Sequence, residues 1–224
     1  MAIGVLPASG SASRLNGLPK FILPISDNHS LLQWHVDLMS RACSSVTVLT
    51  RKKWRPLVDD LALNARIIDK EPSTMGDAVL TAVNKTINDV VIIGMPDVYI
   101  HNSTNNFYQD ILSGTGDVVL ATWDYAPQNM RGKVGQVLAD DEGRVLSVVD
   151  KDPDCDYPEM WGALLFRHQV VSMIDPRGGS VLNRVNSWIE GGISVTRVKM
   201  SGEYIDAGTI DGLARLYTSI GNLR

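Results

Sequence analysis

The stretch AIGVLPASGSASRLNGLPK, residues 2–20, carries the strongest information about the fold. Its first five residues, Ala2 to Leu6, are apolar on consecutive positions, which is typical of a strand covered on both faces. The loop that follows holds small residues, whose backbone N–H groups can approach an anion closely, and two cations, Arg14 and Lys20. The stretch predicts a buried strand leading into a phosphate cradle, although a solvated loop would have the same composition.

Runs of the same character recur along the first half of the chain, at 46–49, 65–68, 90–93 and 118–121. Apolar residues spaced by three and four lie between them, and this spacing is typical of helices. The helical segments are 31–39, 57–65 and 78–87. Because strands and helices alternate, we predict an α/β fold with a parallel sheet and right-handed crossovers.

The pattern changes after about residue 123. The runs 134–139 and 145–149 flank the turn Asp140-Asp141-Glu142-Gly143 and predict a hairpin. Further strands are expected at 161–166 and 193–198, and a helix at 180–189. No low-complexity linker separates the halves. We therefore predict one domain over residues 1–224, with a Rossmann-like, mixed and mostly parallel sheet flanked by helices.

Composition excludes several classes of protein. The 224 residues are 44% hydrophobic, and 21 basic against 25 acidic residues leave a net charge of −4, which argues against a nucleic-acid partner. Two cysteines cannot form a disulfide framework and favour a reducing compartment. The apolar runs are much shorter than the roughly 20 residues that span a bilayer, and the N-terminus lacks the layout of a signal peptide. We expect a cytoplasmic protein that does not bind membranes.

Two familiar glycine loops do not match. A P-loop requires a glycine directly before its lysine, whereas Pro19 precedes Lys20. A dinucleotide fingerprint requires three glycines, whereas Ser11-Ala12-Ser13 follows Gly10. Thr50-Arg51-Lys52, after the second strand, could hold a 2′-phosphate, so an NADP-dependent reductase stays open as an alternative.

Two acidic residues follow strand-like runs. Asp97 comes after the run 90–94, and Asp206 stands between an apolar residue and the glycine turn that opens the last predicted helix. An acid at the tip of a central strand, opposite a phosphate loop, is a position where a divalent metal that bridges phosphates would be held. Each acid could instead cap a turn.

Five elements follow one another along the chain: Gly10 to Arg14 with 19–25, Glu71 to Ala78, Pro96-Asp97, Asp150 to Pro153 with 161–166, and Tyr204 to Thr209. Taken in order, they resemble the sugar-phosphate nucleotidylyltransferase family, the pyrophosphorylases typified by glucose-1-phosphate thymidylyltransferase. The sequence departs from the family pattern at Ala12, where a second loop glycine is usual, and at Met95-Pro96 before the acid. The short interval from Arg14 to Lys20 is closer to that of cytidylyltransferases.

The resemblance implies a nucleotide-diphospho-sugar transferase fold, with 1–123 as the nucleotide-binding half and 124–224 as the sugar-phosphate-binding half. It implies transfer of a nucleoside monophosphate from a nucleoside triphosphate to a sugar 1-phosphate, with release of pyrophosphate. The expected partners are these two substrates, and assembly into a homo-oligomer is left as a possibility. The alternatives are a cytidylyltransferase-type enzyme for another phosphorylated small molecule and a non-catalytic nucleotide or nucleotide-sugar sensor.

The same resemblance implies roles for individual residues. Mg²⁺ would be held by Asp97 and Asp206. The catalytic cations would be Arg14, Lys20 and Lys151. Asp150 and Gly162 would bind the sugar phosphate. The nucleotide-binding residues would be Ala8, Ser9, Gly10, Ser11, Ala12, Ser13, Glu71, Ser73 and Gly76.

Four features have two interpretations. Glu71 either faces the base, where a carboxylate can only accept hydrogen bonds, or faces solvent beside Lys70. Trp161 either faces the sugar or is buried in the sheet. His35, on an apolar helical face, is expected to be a core residue rather than a metal ligand. The basic cluster 51–53 beside a tryptophan is expected to be a solvated rim rather than a nucleic-acid site.

Overall fold

A computed structural model describes residues 1–10, 16–83, 90–103, 105–125, 130, 132–177 and 181–221. Over these residues the chain forms a nine-stranded sheet and two small two-stranded sheets. The strands are β1 (Ala2–Ala8), β2 (Pro24–Ser26), β3 (His29–Ser30), β4 (Ser45–Thr50), β5 (Arg66–Asp69), β6 (Val90–Gly94), β7 (Val98–His101), β8 (Val118–Asp124), β9 (Gly135–Ala139), β10 (Val145–Asp150), β11 (Glu159–Phe166), β12 (Val195–Lys199) and β13 (Glu203–Asp206).

The large sheet is mixed. Its order is β10-β9-β11-β6-β1-β4-β5, and β8 pairs with both β11 and β12. Strands β6, β1, β4 and β5 are parallel neighbours, and β12 is parallel to β8. Strand β11 runs antiparallel to β6, β8 and β9, and β10 runs antiparallel to β9. All of the described strands in this sheet except β10 and β11 therefore point the same way, which confirms the mixed, mostly parallel arrangement.

Seven described helices accompany the strands. Helix α1 begins with a capping box between Ser30 and Gln33, and α3 begins at Thr74, whose hydroxyl accepts from the backbone N–H of Asp77. The helices are α1 (Leu31–Ser40), α2 (Arg55–Asp60), α3 (Met75–Ala82), α4 (Phe107–Asp110), α5 (His168–Val171), α6 (Leu182–Glu190) and α7 (Ile210–Gly221).

The hydrophobic core lies on both faces of the large sheet. One cluster packs α1 and α4 against β1 and β4, and a second packs α3 and α6 against the opposite face. Full burial of β1, β6 and β11 explains why their residues are apolar on consecutive positions. No helix in the described part of the chain is long and apolar enough to cross a bilayer.

The predicted strands agree with those observed to within a few residues. The hairpin β9–β10 and strand β11 are present, and strands from both predicted halves share the large sheet. The prediction of a helix over 57–65 is wrong at both ends, because α2 spans Arg55–Asp60 and the chain enters β5 soon afterwards. The predicted helix 78–87 begins earlier, at Met75, and ends at Ala82, and its residues 84–87 lie outside the described ranges.

Candidate active site

A cleft of about 530 Å³ opens at the carboxyl ends of β1 and β6, where ligands bind in open α/β sheets. It is lined by the end of β1, the segments 19–21 and 72–75, the segment before β7, the open end of the β9–β10 hairpin and β13, together with Trp54 and Trp161. The lining residues are Pro7, Ala8, Ser9, Gly10, Pro19, Lys20, Phe21, Trp54, Pro72, Ser73, Thr74, Met75, Met95, Pro96, Asp97, Val98, Lys133, Val134, Gly135, Asp150, Lys151, Trp161, Tyr204 and Asp206.

The two acids predicted to hold a metal lie side by side in this cleft. Strands β7 and β13 pair antiparallel, with Asp206 opposite Val98. The backbone N–H of Ala207 donates to the carbonyl of Asp97 at 3.0 Å. Because this small sheet joins the middle of the chain to its C-terminal region, it brings together two carboxylates that are far apart in sequence.

Lys20 lies beside both acids and also lines the cleft. Its Nζ is 3.2 Å from Oδ2 of Asp97, and its side chain is 16% exposed. Nζ of Lys20 and Oδ1 of Asp206 each lie 2.5 Å from the point where a Cβ on Gly208 would stand, so they are no more than twice that distance apart. Lys20 therefore contributes a positive charge to both carboxylates.

The carboxylate of Asp206 has a fixed orientation. Its Oδ1 accepts a hydrogen bond from the backbone N–H of Gly208 at 2.7 Å. No cluster of three or more histidine, cysteine or acidic residues suited to a metal occurs among the described residues. Two adjacent carboxylates nevertheless fit Mg²⁺, which is usually held by one or two carboxylates together with water and substrate phosphates.

Tyr204 completes the acidic end of the cleft. It lies two residues before Asp206 on β13, so both side chains occupy the same face of that strand. Burial, and then the negative charges of Asp206 and Asp97, raise the pKa of Tyr204 well above its usual value. The phenol therefore stays protonated and can donate a hydrogen bond into the cleft.

His35 supports the segment that carries Asp97. Its Nε2 lies 2.7 Å from the carbonyl of Val98 and its Nδ1 lies 2.8 Å from the hydroxyl of Tyr108. Since a carbonyl can only accept, Nε2 carries the proton and Nδ1 accepts from Tyr108. Burial lowers the pKa of His35 to about 4. His35 is thus a neutral core residue, as predicted.

The hairpin β9–β10 forms the other wall. Asp150 pairs with Gly135, and the backbone N–H of the next residue, Lys151, donates to the carbonyl of Val134 at 3.2 Å. Lys151 has a φ of +56° and an exposed side chain. Lys133 lines the same wall, so two cations and one carboxylate stand at this end of the cleft.

The end of β1 lies next to the segment after β5. Ala8 and Ser9 are buried and Gly10 is exposed, and a Cβ on Gly10 would meet no atom of the described residues within 4 Å. The backbone carbonyl of Ser9 accepts from Nε of Arg51 at 2.7 Å. Arg51 is therefore committed to a protein contact, which argues against the predicted alternative of a 2′-phosphate site.

Three predicted site residues do not line the cleft. Glu71 is 57% exposed at its side chain and pairs with Arg51. Gly76 is buried in α3, where a Cβ would meet Ile174, and Gly162 lies in β11, where a Cβ would meet Tyr204 and Trp123. Both glycines allow close packing rather than ligand contact. The predicted residues Ser11, Ala12, Ser13 and Arg14 lie outside the described ranges.

Sequence reasoning missed several lining residues. Trp54 is buried and packs edge-on against Phe21, whereas Lys52 and Lys53 beside it are exposed, as expected for a solvated rim. Trp161 was not missed: burial and a position facing the sugar were its two interpretations, and it is both buried, at 8% exposure, and part of the wall. Tyr204 could have been found, because it alternates with Asp206 at the strand period of two. Nothing in the sequence singles out Lys133.

The sheet order and the position of the cleft define a Rossmann-like nucleotidyltransferase fold. Two solved structures share it over almost their whole length. The chain resembles a crystal structure of UDP-glucose pyrophosphorylase complexed with UDP-glucose, with a TM-score of 0.83, 15% sequence identity and full coverage of both chains. It resembles the inositol-1-phosphate CTP transferase from T. maritima with a TM-score of 0.72 and 12% identity, covering 98% of this chain and 96% of that one.

No protein-family model and no curated protein matches this sequence. At such low identities, structural likeness establishes the fold alone. The predicted nucleotide-diphospho-sugar transferase fold is therefore confirmed, and the reaction is argued from the residues of the cleft.

Proposed function

We propose that this protein transfers a nucleoside monophosphate from a nucleoside triphosphate to a sugar 1-phosphate and releases pyrophosphate. The observation that carries the proposal is the convergence of Asp97, Asp206 and Lys20 at the carboxyl end of the central strands. One neighbouring structure is that of a UDP-glucose pyrophosphorylase with UDP-glucose and the other that of an inositol-1-phosphate CTP transferase, which supports the same reaction class.

The reaction needs charge neutralisation more than it needs a base. The second pKa of a phosphate monoester is about 6, so the attacking phosphate is already mostly dianionic at neutral pH. The barrier arises because two polyanions must meet and further charge develops on the leaving pyrophosphate. This explains why a cleft lined by lysines and carboxylates, with His35 behind it buried and neutral, suits the chemistry.

The acidic end would hold the metal. Asp97 and Asp206 provide hard oxygen ligands, and the Gly208 N–H keeps Asp206 oriented. When bound, Mg²⁺ neutralises the charge that accumulates on the phosphate oxygens. Lys20, already within reach of both acids, would bind the triphosphate, and the protonated phenol of Tyr204 would donate to a phosphate or sugar oxygen.

The remaining roles follow from position in the cleft. Ala8, Ser9 and Gly10 would receive the nucleotide at the end of β1, with Ser73 on the adjacent wall. Lys151, with Asp150 beside it, would bind the acceptor phosphate at the hairpin end. Arg14 is retained as a triphosphate ligand on the resemblance alone.

A panel of nucleoside triphosphates and sugar 1-phosphates with Mg²⁺ tests the proposal through release of pyrophosphate. We expect turnover with one pair, and we expect Asp97→Asn to abolish it while the protein stays folded. A thermal-shift screen should identify the nucleotide first, because a ligand at about 100 times its dissociation constant adds about 2.7 kcal/mol of stability. Nucleotide binding without pyrophosphate release from any pair would favour the non-catalytic sensor.

A second candidate differs in the acceptor. The likeness to an inositol-1-phosphate CTP transferase, together with the short interval between Arg14 and Lys20, favours a cytidylyltransferase for another phosphorylated small molecule. Adding inositol 1-phosphate and CTP to the same panel separates the two candidates.

A further inference from the structure

We propose that Arg51 is a positioning residue that couples the two loops forming the nucleotide end of the cleft. This inference rests on the proposed function in one respect: it takes a nucleotide as the ligand whose binding depends on Arg51. Arg51 directly follows β4 and does not line the cleft itself. Its guanidinium instead joins segments that do.

Two hydrogen-bonding arms of Arg51 reach different parts of the chain. Nε donates to the carbonyl of Ser9, which is 7% exposed and lines the cleft. Nη2 lies 2.5 Å from Oε1 of Glu71, directly before the lining residues Pro72 and Ser73. One planar group therefore sets the spacing between the end of β1 and the segment after β5.

A third contact holds the guanidinium in place. Its central carbon lies 5.5 Å from the ring centroid of Trp54, and Trp54 is itself buried and lines the cleft. The Arg51 side chain is 22% exposed, so it is largely enclosed by these partners. Arginine suits the position because its rigid fork can stack on an aromatic ring while it donates in two directions.

These contacts fix the spacing of the two segments more than they stabilise the fold. Glu71 is more than half exposed, and an ion pair with such a partner contributes little to folding free energy. What the pair can do is hold Pro72 and Ser73 at a set distance from Ser9. Glu71 then acts through Arg51 rather than by contacting a base.

The first test is steady-state kinetics of Arg51→Ala and Arg51→Lys. We expect the KM for the nucleoside triphosphate to rise about tenfold, or about 1.4 kcal/mol of binding free energy, because the nucleotide must then bind between two segments whose spacing is no longer fixed. The kcat and the KM for the acceptor should stay near wild type, because neither the acids nor Lys151 is touched. Arg51→Lys should resemble Arg51→Ala, since one ammonium cannot replace both arms. Recovery of wild-type KM in Arg51→Lys would mean that charge alone matters and would overturn the inference.

Arg55→Ala is the matched control. Arg55 also forks between two segments, with Nε 2.7 Å from Asp59 and Nη1 3.3 Å from Asp69, but neither acid lines the cleft. Its loss should leave the KM for the nucleotide unchanged. An equal rise in both variants would show a general loss of rigidity and contradict a specific role for Arg51.

Hydrogen exchange of the backbone amides tests the coupling without reference to activity. In Arg51→Ala, peptides covering 7–10 and peptides covering 70–75 should both exchange faster, whereas Arg55→Ala should leave 7–10 unchanged. If the wild-type chain turned over no substrate pair, the proposed function would fail and this measurement would still decide whether Arg51 couples the loops. Unchanged exchange in both segments would overturn the inference.

Discussion

The backbone carbonyl of Asp97 accepts a hydrogen bond from the N–H of Ala207 at 3.0 Å. This contact places Asp97 and the neighbouring Asp206 at the same end of the β7–β13 ladder. The bond is between backbone atoms, so it fixes the backbone positions of Asp97 and Asp206 relative to each other whichever side-chain rotamers they adopt. The site therefore depends on a two-stranded sheet that closes late in the chain.

Removing either carboxylate charge should abolish most of the activity. We expect Asp97→Asn and Asp206→Asn each to lower turnover by a factor on the order of 10² to 10⁴, the usual effect of removing a transition-state charge partner. Lys20→Met should do the same. Pyrophosphate release under saturating substrates measures the effect.

Asp124→Asn is the control for this series, because Asp124 is 78% exposed, pairs with Lys199 and does not line the cleft. It should retain normal turnover. A loss of less than about fivefold in a folded Asp97 or Asp206 variant would be too small for a transition-state charge partner and would remove that residue from the proposed metal site.

Gly208→Ala should lower activity while changing stability little. A Cβ at this position would stand 2.5 Å from both Lys20 Nζ and Asp206 Oδ1, so both side-chain ends would have to move. We expect turnover to fall by about tenfold or more, because small displacements of reacting groups are costly. Tm should change by no more than about 4 °C, since flexible side-chain ends can adjust.

Gly221→Ala provides the comparison, because a Cβ there would meet nothing within 4 Å in the part of the chain that the structure describes. Both variants should unfold cooperatively, and only Gly208→Ala should lose turnover. Full activity in Gly208→Ala would show that the positions of Lys20 and Asp206 are not critical.

Stability should fall as the pH drops below about 6.5. The unfolded chain protonates His35 near its ordinary pKa of 6.5, whereas burial keeps the native residue neutral down to about 4. The unfolded state thus binds the proton first, and the free energy of unfolding falls by about 3 kcal/mol as the pH drops through this range. The groups that face His35 are the hydroxyl of Tyr108, whose pKa burial raises, and the more distant charge of Asp97.

Urea unfolding at pH 7 and pH 4.5, compared between wild type and His35→Gln, measures this contribution. Glutamine can donate to the Val98 carbonyl and accept from Tyr108 but does not titrate. The variant should therefore lose less stability between the two pH values. An identical loss in both proteins would show that other groups account for the acid sensitivity.

Lys151→Met should weaken binding of the acceptor substrate. Because Lys151 lies at the hairpin end of the cleft, we expect the KM for the acceptor to rise about tenfold, as for one lost charge-assisted hydrogen bond. The KM for the nucleoside triphosphate should change little. Lys199→Met, which removes a lysine outside the cleft, should change neither value. A larger effect on the nucleotide than on the acceptor would contradict the assignment.

Local patterns were sufficient to predict the large sheet. Strands β1, β4, β6 and β11 are buried on both faces, so the physical demand on each residue is simply to be apolar, and that demand is visible in consecutive positions. The expectation that a loop after β1 and an acid after β6 would share one cleft follows from the parallel arrangement. Boundaries were less certain at α2, whose apolar spacing continues past Asp60 although the helix does not.

The pairing of β7 with β13, the burial of Trp54 and the commitment of Glu71 to Arg51 could not be predicted from local patterns. Each depends on groups far apart along the chain, and short strands or single charges leave no periodic trace in the sequence. The local sequence around Asp97 and around Asp206 identifies each acid as a candidate ligand. The distance between the two residues, however, is set by a backbone ladder between segments about a hundred positions apart. Chemistry at this site therefore arises from long-range backbone pairing, whereas the fold arises from burial that acts on each strand separately.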